Sequence, residues 1–224
     1  MVETNNIFSD RCAEIEFYFS ILKDFDNIDS NIIKTSDNSR LFRIMKSNFI
    51  LMIYNLIEAT FSSGINEIYR HLENENCTYN NVITEIQNIW RDYKFKNLYK
   101  NKHKLNIHLK SIKNIIDIIT SNKLITMNKN MNSFEGNLNA KIIKDICDKH
   151  KIRYITPVND ESLEYVRKKR NSLAHGEESF GNCSRDFSIK DLQEIKDTVI
   201  PFMQAILNGM TNYYREKQFL RIAG

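Results

Sequence analysis

The run SDNSRLFRIMKSNFILMIYNLIEATFSSGINEIYRHLENE, residues 36–75, contains no proline and a single glycine. Its apolar positions Leu41, Ile44, Met45, Phe49, Met52, Ile53, Leu56, Ile57 and Phe61 recur at intervals of three and four, the period of one helix face. Ser36 or Asp37 offers a side-chain cap for its start. The middle of the run is apolar almost all round, which puts this helix at the centre of a bundle. Turn formers are scarce elsewhere too: 6 Gly and 2 Pro in 224 residues. That excludes an all-β sandwich and predicts long, uninterrupted elements. The expectation is an all-α chain, a bundle of long antiparallel helices in one domain spanning 1–224.

The flanking segments read the same way. IFSDRCAEIEFYFSILKDF sets Ile7, Ile15, Phe19 and Leu22 near one face, and YNNVITEIQNIW and KLNIHLKSIKNIIDIIT give two more helices. Residues 123–158 differ: a loop with a glycine, a short amphipathic helix near 139–149, and IRYIT, whose β-branched alternation suggests a short strand. This is an irregular excursion from the bundle, too short to bury a core of its own. Asn159 or Asp160 caps the next helix, ESLEYVRKKRNSLAH, and Gly176 suits the left-handed position past its end. SIKD, 188–191, resembles a capping box and opens the last helix, which Pro201 is expected to bend or break.

The cysteines at 12, 77, 147 and 183 form no CxxC or Cys-His cluster, so a zinc site is not expected. No signal-peptide pattern opens the sequence, and its most apolar segment falls short of the ~20 residues that span a bilayer. A cytoplasmic protein with reduced thiols and no membrane contact is the expectation. The net charge of +4 permits an anionic partner without demanding one.

The residues that suggest chemistry lie in RKKRNSLAHG, 167–176. Arg170 and His175 are five positions apart, which on an intact helix turns their side chains ~140° from one another. If the helix ends at His175, where Gly176 permits a reversal, the imidazole is released from that geometry and Arg170 can swing toward the same end. Asn171 lies one turn before His175 and can hold its ring. The negative end of a helix favours the protonated imidazole. A titrating imidazole beside a permanent guanidinium suits phosphodiester cleavage: one moves protons, the other stabilises charge building on phosphorus.

Upstream, Asn55 and Glu58 interrupt the apolar run and need partners if buried, with Glu58 a candidate to orient Arg170. Tyr54 reads as core. RDYKFKNLYKNKHK, 91–104, sets six Lys/Arg, among them Lys94, Lys96 and Lys100, against one Asp and among three aromatic rings, a pattern suited to RNA phosphates and bases. Lys168 and Lys169 extend the same field toward Arg170. His71, His103, His108 and His150 have no partner at useful spacing and read as surface residues.

The Arg-Asn-x-x-x-His pattern at a late helix end resembles the HEPN superfamily of ribonucleases. LMIYNLIEATF resembles the second-helix signature of one prokaryotic branch, FEGNLNAKIIKDICDKHKI a Gly-Asn-Leu segment of related branches, and CSRDFSIKDL the segment that follows the motif. The resemblance implies a HEPN-type helical bundle and an endoribonuclease needing no metal or other cofactor. In such enzymes the RNA 2′-hydroxyl attacks the adjacent phosphate and leaves 2′,3′-cyclic phosphate and 5′-hydroxyl ends. Carried onto this chain, it makes Arg170 and His175 catalytic, with Asn171 in a positioning role. It further implies a homodimer with both chains contributing to one site. A toxin or antiviral role follows, with an antitoxin or defence-system protein as partner. Two other readings fit the same residues: a HEPN-like module that binds or dimerises without catalysis, and a helical nucleic-acid-binding protein.

Overall fold

The computed structural model describes residues 1–27, 36–99, 105–131, 136–156 and 161–221. Among these it contains eight α-helices: α1 (Val2–Asn27), α2 (Ser36–Asn74), α3 (Thr84–Tyr99), α4 (Leu105–Thr120), α5 (Ala140–His150), α6 (Glu161–Ala174), α7 (Phe180–Cys183) and α8 (Ile189–Arg215). A 3₁₀ turn spans Lys129–Met131. The all-α expectation holds, and none of these helices is long and apolar enough to cross a membrane.

α2 is the axis. Phe49, Ile50, Ile53, Tyr54, Leu56, Ile57, Phe61, Ile65, Ile68 and Leu72 are almost fully buried along it. α1 lies antiparallel to α2: Thr4 bonds to Glu67 near one end, and Tyr18 donates to the Met45 carbonyl near the other. The inner face of α1 is Thr4, Phe8, Ile15, Phe19 and Leu22, so Phe8 takes the place expected for Ile7. α8 runs parallel to α2, with Met210 against Gly64 and the Tyr214 ring on His71. The Ser188–Asp191 capping box forms as expected. α8 then continues through Pro201, and Pro201 is exposed. The carbonyl one turn earlier, on exposed Asp197, can bond to water, so the missing N–H does not end the helix.

No strand forms at IRYIT. Residues 152–156 carry no regular structure, pack on a helix at Arg153 and Tyr154, and have no strand to pair with among the described residues. The Arg153 carbonyl oxygen approaches α8 so closely that it leaves no room for a Cβ on Gly209. Glycine is therefore what lets this segment seat. Capping of α6 at Asn159 or Asp160 lies outside the described residues, as do Lys100 and His103.

His150 is not a surface residue. It is completely buried at the end of α5. Its Nδ1 lies 2.7 Å from the Ile146 carbonyl and its Nε2 2.7 Å from the Tyr69 hydroxyl. A carbonyl only accepts, so Nδ1 carries the proton and Nε2 accepts from Tyr69. A second proton would place a full positive charge in a completely buried site. Burial accordingly lowers the His150 pKa from 6.5 to about 4. The unfolded chain binds its proton first as pH falls, so this contribution to stability is complete above pH 6.5 and lost between there and pH 4. At 1.36 kcal/mol per unit the loss is about 3 kcal/mol. Urea unfolding at pH 7 and pH 4 measures it, and His150→Gln is expected to flatten that part of the profile.

Candidate active site

The loop before α5 and the last two turns of α6 meet over the middle of α2. Gly136 adopts φ +69°, the left-handed region that disfavours a side chain. Its N–H donates to Glu58 Oε1 at 3.3 Å, and its carbonyl accepts from Arg170 Nη1 at 3.3 Å. Arg170 Nη1 also donates to Asn171 Oδ1 at 3.0 Å, and Asn171 Nδ2 donates to Asn137 Oδ1 at 3.2 Å. The guanidinium lies over the Tyr54 ring, 4.9 Å from its centroid. Burial, then the charge of Glu58, push the Tyr54 phenol up, so it stays protonated. Its oxygen accepts from the Leu138 N–H at 3.2 Å.

The next residue fastens the loop to α6. Asn139 caps α5 by accepting from the Ile142 N–H at 2.8 Å, and its amide donates to Glu164 at 2.8 Å. Glu164 is held in turn by two hydrogen bonds from Arg167, 2.6 and 3.0 Å. Those bonds keep the Glu164 carboxyl down at about 2, so it is ionised at neutral pH. Residues 136–139 thus form a cradle between α2 and α6, with Arg170 fixed inside it.

Glu58 was expected to orient Arg170 by direct pairing. It reaches the guanidinium instead through Gly136, with no ion pair between the two side chains. Asn55, expected to need a partner if buried, is exposed, with Leu51 and Ala59 half-buried one turn to either side. Asn171 was expected to hold the His175 ring, but its amide is committed to Arg170 and Asn137.

α6 closes at His175. The Glu177 N–H donates to the Ser172 carbonyl at 2.9 Å and the Gly176 N–H to the Leu173 carbonyl at 3.3 Å. With Gly176 at φ +70°, this is a Schellman motif with His175 as the C-cap. The imidazole is exposed and has no hydrogen-bond partner among the described residues. Arg170 and His175 therefore share the end of one helix without touching. Arg170 is clamped by one nitrogen, and its Nε and Nη2 have no acceptor among the described residues.

The lysines divide. Lys168 is exposed beside Glu164, at 3.8 Å. Lys169 turns to the other side of α6, where both oxygens of Glu178 neutralise it at 3.0 and 3.1 Å. It does not extend a free positive field toward Arg170. Lys94 lies over the Trp90 ring, and Lys96 is exposed on α3. Neither is bonded to the cradle. Cys77, Cys147 and Cys183 are buried, and burial pushes their thiols up to between about 11 and about 12, so none is a ready nucleophile.

The sequence reading missed the role of Tyr54 as the floor under Arg170, and Asn137, Asn139 and Glu164 as the fasteners of the loop. One signal was present: Tyr54 and Glu58 stand four positions apart, hence on one face of α2.

No curated protein and no solved structure matches the chain. A sequence model of the MAE_28990-like HEPN family matches residues 4–219, nearly the whole chain and every element that builds the cradle. The protein belongs to the HEPN family.

Proposed function

We propose that this HEPN protein is a metal-independent endoribonuclease in which Arg170 and His175 perform the reaction. The observation that carries the reading is the contrast at the end of α6. Arg170 is fixed by Gly136, Asn171 and Tyr54 with donors to spare, and the His175 imidazole is open to solvent. A guanidinium held by one nitrogen is preorganised to receive phosphate oxygens with the others. An exposed imidazole is free to accept or give a proton.

In the proposed reaction, the 2′-oxygen attacks phosphorus as an imidazole removes its proton. The bond to the 5′-oxygen breaks as a protonated imidazole supplies a proton to that leaving atom. A cyclic phosphate and a 5′-hydroxyl result, and no water is consumed. One His175 cannot hold both protonation states at once, so two chains meet with both imidazoles and both guanidiniums in one cleft. Such an activity, aimed at cellular or invading RNA and restrained by a partner protein, suits a toxin or antiviral effector.

Cleavage of RNA in excess EDTA, with the ends identified, tests the reading. Products ending in 2′,3′-cyclic phosphate and 5′-hydroxyl are expected. An absolute requirement for divalent metal, or 3′-hydroxyl and 5′-phosphate ends, would overturn it.

A further inference from the structure

A groove of about 710 Å³ opens where the start of α3, the end of α5 and the segment after α8 converge. Four cations line it from two stretches of chain: Lys151 and Arg153 after α5, and Lys217 and Arg221 after α8. Two carboxylates, Glu85 and Glu216, share it, and both are already engaged. Glu85 faces Lys151 at 3.4 Å, and Glu216 accepts from Gln218 at 2.7 Å and Arg215 at 3.3 Å. Of the cations, Lys217 is paired with Glu75 at 2.6 Å, and Arg221 donates to Gln87 at 3.1 Å. Arg153 is exposed and makes no hydrogen bond or ion pair among the described residues.

The start of α3 points into the same space. The Ile83 carbonyl accepts the first helical bond, from the Gln87 N–H at 3.1 Å, which makes Ile83 the N-cap. An isoleucine side chain cannot cap, so the first-turn amides of Thr84, Glu85 and Ile86 are left without a side-chain acceptor from that position. Such amides, at the positive end of the helix and beside Arg153 and Arg221, the two cations of the groove that pair with no carboxylate among the described residues, favour an anion with several oxygens. The groove has a fixed shape because the Arg153 backbone is seated against Gly209.

We infer that this groove binds the phosphodiester backbone of RNA at a point remote from the bond being cut. The choice of RNA as ligand rests on the ribonuclease reading; the groove itself does not. α5 joins the two places. Its N-terminal cap, Asn139, belongs to the cradle of Arg170, and its C-terminal cap, Lys151, lines the groove. Its 11 residues span ~16 Å. A strand occupying both therefore extends several nucleotides beyond the scissile bond. The substrate class is accordingly a long single strand or loop, and a di- or trinucleotide is too short to gain from the groove.

Arg153→Glu reverses the free charge without touching a described side-chain contact. Lys151→Gly removes a second charge at a residue whose φ of +62° glycine adopts readily. In a non-cleaving His175→Ala background, fluorescence anisotropy with a labelled 20-mer RNA reads affinity against salt. The double variant is expected to bind about tenfold more weakly, and its slope of log K on log salt to fall by about one or two. Arg153→Lys is expected to bind as the parent does. Unchanged affinity and slope in the double variant would overturn the inference, as would equal weakening with a trinucleotide. Because this measures binding to uncut RNA, a parent protein without cleavage activity would sink the ribonuclease reading and still leave the groove decided by its own result.

Discussion

His175→Ala is expected to lower the proposed RNA cleavage by about 10²- to 10⁴-fold, with folding and RNA binding kept. The magnitude is that of one positioned proton-transfer group, and it sits at the upper end here because the same residue serves twice in the proposed cleft. Folding is spared because the imidazole is exposed and bonded to nothing described, and the Schellman motif that ends α6 is built from backbone. Arg170→Ala is expected to cost about 10²- to 10³-fold. It also removes a group packed on Tyr54, so circular dichroism and a melting curve belong beside the assay. Excess His175→Ala protein mixed with wild type is expected to depress the wild-type activity, since a mixed cleft holds one imidazole where the proposed reaction uses two. Undiminished activity in the mixture would contradict the two-chain site.

Gly136→Ala is the second large effect, and it lies 34 positions from Arg170. Two costs coincide. The backbone sits at φ +69°, where an added side chain costs roughly 1–2 kcal/mol. The new methyl would also lie 3.0 Å from Arg170 Nη1 and 3.5 Å from Cζ, so the guanidinium must move. A shift of a few tenths of an ångström is a fraction of the ~1 Å misplacement that costs about 10²-fold in rate, so a loss of roughly tenfold is expected. The expected pattern is a fall in kcat with a melting temperature lowered by only a few degrees. An unchanged kcat would mean that the Gly136 carbonyl does not set the position of Arg170.

The helices were legible because their apolar period is strong. The bounds of α2 and the cap and end of α6 near Gly176 follow from residues 36–75 and 161–176 with little ambiguity. What escaped were contacts between elements. His150 falls on the buried face of α5 with Ile143 and Ile146, a spacing visible in the sequence, yet its partner Tyr69 is 81 positions away. Absence of a neighbouring partner in the chain said nothing about one across the core. Lys169 shows the converse: four consecutive basic residues look like one field, but a helix fans them over different faces, and Glu178 claims this one. Asn55 sits in an apolar run and is exposed, so it needs no buried partner. At the candidate site, Arg170 and His175 were in view, and Gly136 only as the glycine of the Gly-Asn-Leu segment. The clamp that joins Arg170 to Gly136 was not, since a backbone carbonyl acceptor leaves no residue-type signature.

The most direct test uses one mapped cleavage position and two RNAs that differ there by a single atom. In one the ribose 5′ to the cut carries its 2′-hydroxyl; in the other it is 2′-deoxy. With metal chelated and wild-type protein in excess, the first is expected to be cut and the second to survive at that position. Equal cleavage of both would show that the nucleophile is not the 2′-oxygen, and the roles given to Arg170 and His175 would fall with it.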